Sequence, residues 1–140
     1  MRILILSSFL ITSFVVLIGV GTADAQTERR LSSTPKAFQT FYAKFRTAVI
    51  KRDRNAVVAL TNFPFRYGWD AGDEGTYTRS QFIAKFNDIF GGTRKFFGQA
   101  NPTFHFDAGS FNLTNEEDAS HYVFEKRGSN YKFTAFVVEP

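Results

Sequence analysis

The apolar residues of this chain change their spacing part-way along, and that change limits the fold more than any other feature. Phe38, Phe41, Tyr42, Phe45, Ala48 and Val49 recur every three or four residues, with Lys36, Gln39, Thr40, Lys44, Thr47 and Lys51 between them. Such spacing gathers the apolar set on one side of a helix of about four turns. Thr34-Pro35 marks its start, because threonine caps and proline loses nothing at a first helical position. Asp53 is placed to cap a shorter second helix with Val57 and Leu60 inward, and Phe63-Pro64-Phe65 ends it. "RYGWDAGDEGTY" reads as turns, broken by Gly68, Gly72 and Gly75. A third helix opens on Thr78-Arg79-Ser80-Gln81, a capping box flanked by Tyr77 and Phe82 as a hydrophobic staple. Phe82, Ile83, Phe86, Ile89 and Phe90 form its stripe, and Gly91-Gly92 stops it.

Beyond that point the period is two. "PTFHFDA", "SHYVFEK" and "YKFTAFVV" alternate as half-buried strands do. Gly128-Ser129 suits a tight hairpin with glycine at its first central position. That register sets Glu125 opposite Lys132, Phe124 opposite Phe133 and Tyr122 opposite Ala135. Tyr122, Phe124, Phe133, Ala135 and Val137 would then cover the helices, while Val123, Thr134, Phe136 and Val138 face outward. Helices first and antiparallel strands later define an α+β fold.

The first 25 residues follow a different rule. Arg2 precedes an apolar run over residues 3–20, and Ala23-Asp24-Ala25 supplies a small-x-small cleavage site. This is the pattern of a secretory signal peptide, so the chain is expected to be exported, periplasmic or extracellular, after cleavage near Ala25. No second apolar run follows, and no membrane span is expected after cleavage. Residues 26–33, almost free of apolar side chains, read as a flexible lead-in, with one domain over residues 34–140. Export permits disulfides, yet the chain has no cysteine. Its stability must come from burial and hydrogen bonds, which gives its eighteen phenylalanines a purpose. Two of them, Phe9 and Phe14, belong to the leader. The net charge of +4 is spread thinly, with no basic face interleaved with stacking aromatics, so nucleic acid is not an expected partner.

"FYAKFRTAVIKRDRNAVVALTNFPF", the capped "TRSQFIAKFNDIF" helix and the "HYVFEK…YKFTAFVVE" hairpin together resemble the nuclear transport factor 2-like superfamily, especially its small secreted bacterial members. The resemblance spans nearly all of residues 34–140. It implies three N-terminal helices packed in a curved, mainly antiparallel sheet, a cone whose inside holds ligands in many members. Ketosteroid isomerases, dehydratases and non-catalytic binding modules share that shape, so the resemblance implies a fold and no reaction.

Three sets of residues are candidates for chemistry. Tyr67, Trp69, Tyr122 and Tyr131 suit a ligand pocket, because a buried hydroxyl or indole N–H belongs where polar and apolar surfaces meet. Asp70 is the polar group best placed beside them, where aromatic walls would raise its pKa and make it a base. His105 and Asp107 share one strand face, and His121 and Glu125 share another. Brought together, they would form a three-ligand metal site or an acid–base pair; left apart, they are a solvated outer face. The Asp70, Asp73, Glu74 turn fails as a calcium loop, since Gln81 stands where the twelfth-position glutamate is needed. No cofactor fingerprint or nucleophile motif occurs.

The aromatic load, the absence of a catalytic constellation and the cone that the resemblance implies together favour an exported binding protein holding a small, partly apolar or aromatic molecule in that cone. An isomerase- or dehydratase-like enzyme using Asp70 or His105–Asp107 is the first alternative. A homodimer through the outer sheet face is the second.

Overall fold

The structure, a computed structural model, describes residues 27–140; the leader reading falls outside the described residues. Among the described residues, five α-helices lie against one seven-stranded sheet. In chain order they are β1 (Thr27–Arg30), α1 (Lys36–Ile50), α2 (Arg54–Ala59), β2 (Thr61–Trp69), β3 (Asp73–Tyr77), α3 (Arg79–Ala84), α4 (Phe86–Phe90), α5 (Arg94–Phe97), β4 (Thr103–Asp107), β5 (Ser110–Asn115), β6 (Ser120–Arg127) and β7 (Asn130–Val138). The sheet runs β1-β4-β5-β6-β7-β2-β3, antiparallel throughout except for the β2–β7 pair. The α+β expectation stands, with more helices and strands than the spacing alone foretells.

The long helix is where the spacing puts it, and its stripe of Phe38, Phe41, Tyr42, Phe45, Ala48 and Val49 is buried. Rings from four adjacent strands converge on Phe38: Phe104 at 5.1 Å, Phe111 at 4.2 Å, Phe124 at 6.0 Å and Tyr131 at 5.2 Å between centroids. Four strands of a flat sheet span about 14 Å, so the sheet must curl about α1. Asp53 caps α2 through the Ala56 N–H (3.0 Å), and Thr78 with Gln81 closes the capping box of α3.

Several expectations are corrected. Thr34 does not cap α1; its hydroxyl donates to the Leu31 carbonyl (2.7 Å), and Pro35 occupies the cap position. Residues 26–33 are not a loose lead-in throughout, because Thr27–Arg30 pairs antiparallel with β4 as an edge strand. Pro64 does not end α2, which stops at Ala59; it sits inside β2, where the pairing with β7 lapses between Thr61 and Arg66. A proline has no N–H for a ladder, so the lapse is where it is tolerated. The third helix is two, separated at Lys85, and α5 follows the Gly91-Gly92 stop.

The C-terminal hairpin begins in the expected register, Glu125 opposite Lys132 and Phe124 opposite Phe133. Thr134 is then an extra residue, so Tyr122 pairs with Phe136 rather than Ala135. This bulge turns Phe136 into the core and sends Val137 outward, reversing their expected faces. The outer face carries Val123, Ala135 and Val137, with Phe136 gone from it.

Candidate functional site

Alternation along β2 puts Phe65, Tyr67 and Trp69 on the inner face. Phe65 is fully buried against Phe82 and Phe133. Tyr67 and Trp69, farther along, are only half-buried, because the six-residue α3 and five-residue α4 do not cover the end of the strand. The register of β3 supplies the other wall, with Tyr77 opposite Phe65, Gly75 opposite Tyr67 and Asp73 opposite Trp69.

The three aromatic side chains are locked together. Tyr67 and Tyr77, diagonal neighbours across the hairpin, stack at 4.0 Å with 12° between their planes. The Trp69 indole N–H donates to the Tyr77 hydroxyl (2.8 Å), and its ring meets Phe136 edge-on at 5.1 Å. Gly75 makes room, since a Cβ there would come within 3.0 Å of the Tyr67 hydroxyl. Opposite, at the α3–α4 break, Lys85 Nζ pairs with Asp88 Oδ2 at 3.1 Å. Tyr67, Trp69, Asp73, Tyr77, Lys85 and Asp88 line an open groove of about 360 Å³.

The electrostatics are those of a polar-rimmed slot. Desolvation and the Asp73 carboxylate raise the Tyr67 pKa, so its hydroxyl stays neutral and able to donate. The hydrogen bond from Lys85 to Asp88 raises the lysine pKa and keeps it an ammonium. The groove therefore offers two stacked phenol faces, an indole, a fixed cation and two carboxylates. It can bind a flat apolar body and hydrogen-bond its polar edge.

Of the residues singled out in the sequence, Tyr67 and Trp69 are here. Asp70 is exposed on the turn after β2, and the carboxylate facing the aromatics is Asp73. Tyr122 lies in the core, its hydroxyl donating to the Ile89 carbonyl (2.9 Å). Tyr131 packs edge-on against Phe38. Nothing in the sequence marks Tyr77, Lys85 and Asp88 as groove residues; Tyr77, read there as a helix staple, becomes visible as a wall once 73–77 is recognised as a strand.

The histidines are on the outer face. His105 sits opposite Asn112, Asn112 opposite Val123, and Thr114 opposite His121. Two strand spacings and a two-residue offset separate the imidazoles by ~12 Å, too far for one ion. His121 Nδ1 meets the Thr114 hydroxyl (3.0 Å), with Nε2 3.3 Å from Glu139 Oε1. His105 Nδ1 lies 3.9 Å from Glu28 Oε1. Glu125 is taken by Arg66, at 2.7 Å, and by Arg127. Asp107 is paired with Ser110 at the hairpin end. Among the described residues, no three histidine or carboxylate side chains are grouped to hold a metal. Both histidines border a shallow hollow of about 490 Å³ floored by Val123 and Val137. A cleft of about 690 Å³ opens beside α5 where β4 and β5 part, between Phe96, Lys95, Leu113 and Asn115.

No family model matches the chain, and no curated protein does. Solved structures are similar to it. A cystatin-like fold protein of unknown function from Nostoc punctiforme is 12% identical, covering 74% of this chain and 87% of its own, with a TM-score of 0.42. An NTF2-like protein from Pseudomonas putida is 10% identical over 73% and 82%, TM-score 0.41. Another, from Cytophaga hutchinsonii, is 9% identical over 75% and 90%, TM-score 0.42. The likeness is to NTF2-like and cystatin-like folds.

Proposed function

We propose that this is an exported binding protein that seats a small, partly apolar molecule in the Tyr67–Trp69–Tyr77 groove. One observation carries the reading: three aromatic side chains on the inner sheet face are held together by stacking and a hydrogen bond, and two of them, Tyr67 and Trp69, stay half-exposed beside an open groove while Tyr77 is buried behind them. Rigid aromatic surface rimmed by a few fixed polar groups is what small-molecule sites are made of. The ligand places a flat ring along the phenol faces and a hydrogen-bonding edge toward Asp73, Lys85 and Asp88.

Trp69 is the single tryptophan, so its fluorescence reports on the groove alone. Titration with benzamidine, benzoate and benzyl alcohol, none of which shares the indole absorption band, is expected to give a saturable change that Tyr67→Ala and Tyr77→Ala abolish. No saturable change with any of the three counts against the reading. Export is tested separately, by sequencing the N-terminus of the protein recovered outside the cytoplasm, which should begin at Gln26.

The outer face supports a second reading, self-association, because Val123 and Val137 floor an open hollow there. Sedimentation at micromolar concentration decides it: a strict monomer ends the homodimer. His105 and Asp107, on that same face, are not brought to the groove, and the isomerase or dehydratase reading gains no support from them.

A further inference from the structure

Helix α1 ends in a way that glycine normally serves. The Arg52 N–H donates to the Val49 carbonyl (3.0 Å) and the Asp53 N–H to the Ala48 carbonyl (2.9 Å), with Arg52 in the left-handed region at φ 57°. Glycine reaches that conformation freely, whereas a side chain there costs stability. A residue kept where it strains the backbone invites the question of what its side chain does.

That side chain is not idle. Arg52 Nη2 donates to Asn87 Oδ1, and Arg54 Nη2 lies 3.5 Å from the same oxygen. Both guanidiniums lie over the buried Phe86 ring, 5.8 and 5.3 Å from its centroid. Two cations are thus drawn to one amide oxygen and one ring face. Among the described residues, neither has a carboxylate within salt-bridge distance. The nearby Asp53 carboxylate caps α2 instead. The contrast is Arg66 and Arg127, which also converge, but on Glu125, whose charge answers theirs. At Arg52–Arg54 the answering charge is missing, and Lys51 adds to the excess.

We propose that Arg52 and Arg54 form an oxyanion site for a phosphate- or sulfate-type group, either free or displayed as a lipid headgroup. Guanidiniums present paired N–H donors whose geometry matches such oxygens, and Phe86 and Asn87 hold the two side chains in place beforehand. The site is independent of the aromatic groove.

The test is thermal unfolding of the purified protein, Arg52→Gly and Arg54→Gln, in sodium phosphate, sodium sulfate and sodium chloride at matched ionic strength. Phosphate or sulfate should raise the wild-type midpoint beyond chloride, and both variants should lose most of that rise. Glycine relieves the strained backbone, so the anion-free midpoint of Arg52→Gly should hold or rise, by up to about 4 °C. Cosedimentation with phosphatidylglycerol vesicles, against phosphatidylcholine vesicles, separates the sources: capture by the former alone, lost in both variants, assigns a headgroup. A response to phosphate and sulfate without vesicle capture assigns a free anion. Responses equal to chloride's with no vesicle capture, or responses kept in both variants, overturn the proposal. A fall in the Arg52→Gly midpoint with the anion response intact in Arg54→Gln also overturns it, and makes the pair a brace between α1 and α4.

Discussion

Two aromatic regions share the inner face of one sheet and differ in what lies over them. Under α1, phenylalanines meet mostly at steep angles, as Phe38 with Phe104 (87°) and Phe45 with Phe124 (80°), and solvent is shut out. At the β2–β3 end, two tyrosines lie nearly parallel and a tryptophan spends its N–H on one of them, with one flank open. The first region is built mostly of phenylalanines, which leave no polar atom to satisfy, Tyr42 being the buried exception; the second uses rings that carry a hydroxyl or an N–H. Cover decides the difference. A fifteen-residue helix spans the first region, while two helices of six and five residues stop short of the second.

The comparison is broken most directly by truncating one ring in each region. Phe124→Ala should cost about 3–5 kcal/mol in urea unfolding, as large core truncations do. Tyr67→Ala should cost about 1–2 kcal/mol while abolishing the Trp69 fluorescence response. Equal costs would mean that the groove is simply more core.

Two buried hydroxyls sharpen it. Tyr122→Phe removes the donor to the Ile89 carbonyl and should cost about 1–2 kcal/mol. The Tyr42 hydroxyl is buried with no partner among the described residues, so Tyr42→Phe should be neutral or stabilise slightly, by the same measurement. Burial raises both pKa values above the ordinary tyrosine value of 10.0, so the folded chain keeps protons that the unfolded chain releases. Stability should be flat with respect to these groups below pH 10 and fall as pH rises above it, by up to ~1.4 kcal/mol per unit for each tyrosine. Urea melts at pH 9 and 11 should show the loss shrink in Tyr122→Phe; an unchanged loss breaks the assignment. The smallest effect is expected from Gly75→Ala. It should move stability by no more than ~0.5 kcal/mol, yet displace the Tyr67 ring and shift the Trp69 emission.

The closed region was legible from spacing alone, and the open one mostly was not. A stripe such as Phe38, Phe41, Tyr42, Phe45 repeats with the helix and needs no partner to be recognised. Asp73–Tyr77 is an edge strand whose first four residues are exposed, so no apolar alternation marks it, and its glycine looks like a turn. Only the pairing with β2 makes it a strand. Thr27–Arg30 was hidden for the same reason. Tyr67 and Trp69 could be named because their side chains are amphipathic, but Tyr122 is equally so and is core. Residue chemistry proposes a pocket wall; tertiary cover assigns it.

Thr134 holds a consequence of its own. On β7 the inward residues are odd-numbered before it, Tyr131 and Phe133, and even-numbered after it, Phe136 and Val138. The stretch packed on α1 and the stretch that touches Trp69 are thus out of step by one position, and a single surplus residue reconciles them. Any lengthening or shortening of the chain between Phe133 and Phe136 must preserve parity. Removing Thr134 alone would swing Phe136 to solvent and leave the indole without its neighbour, while a change of two residues would keep both ends facing as they do.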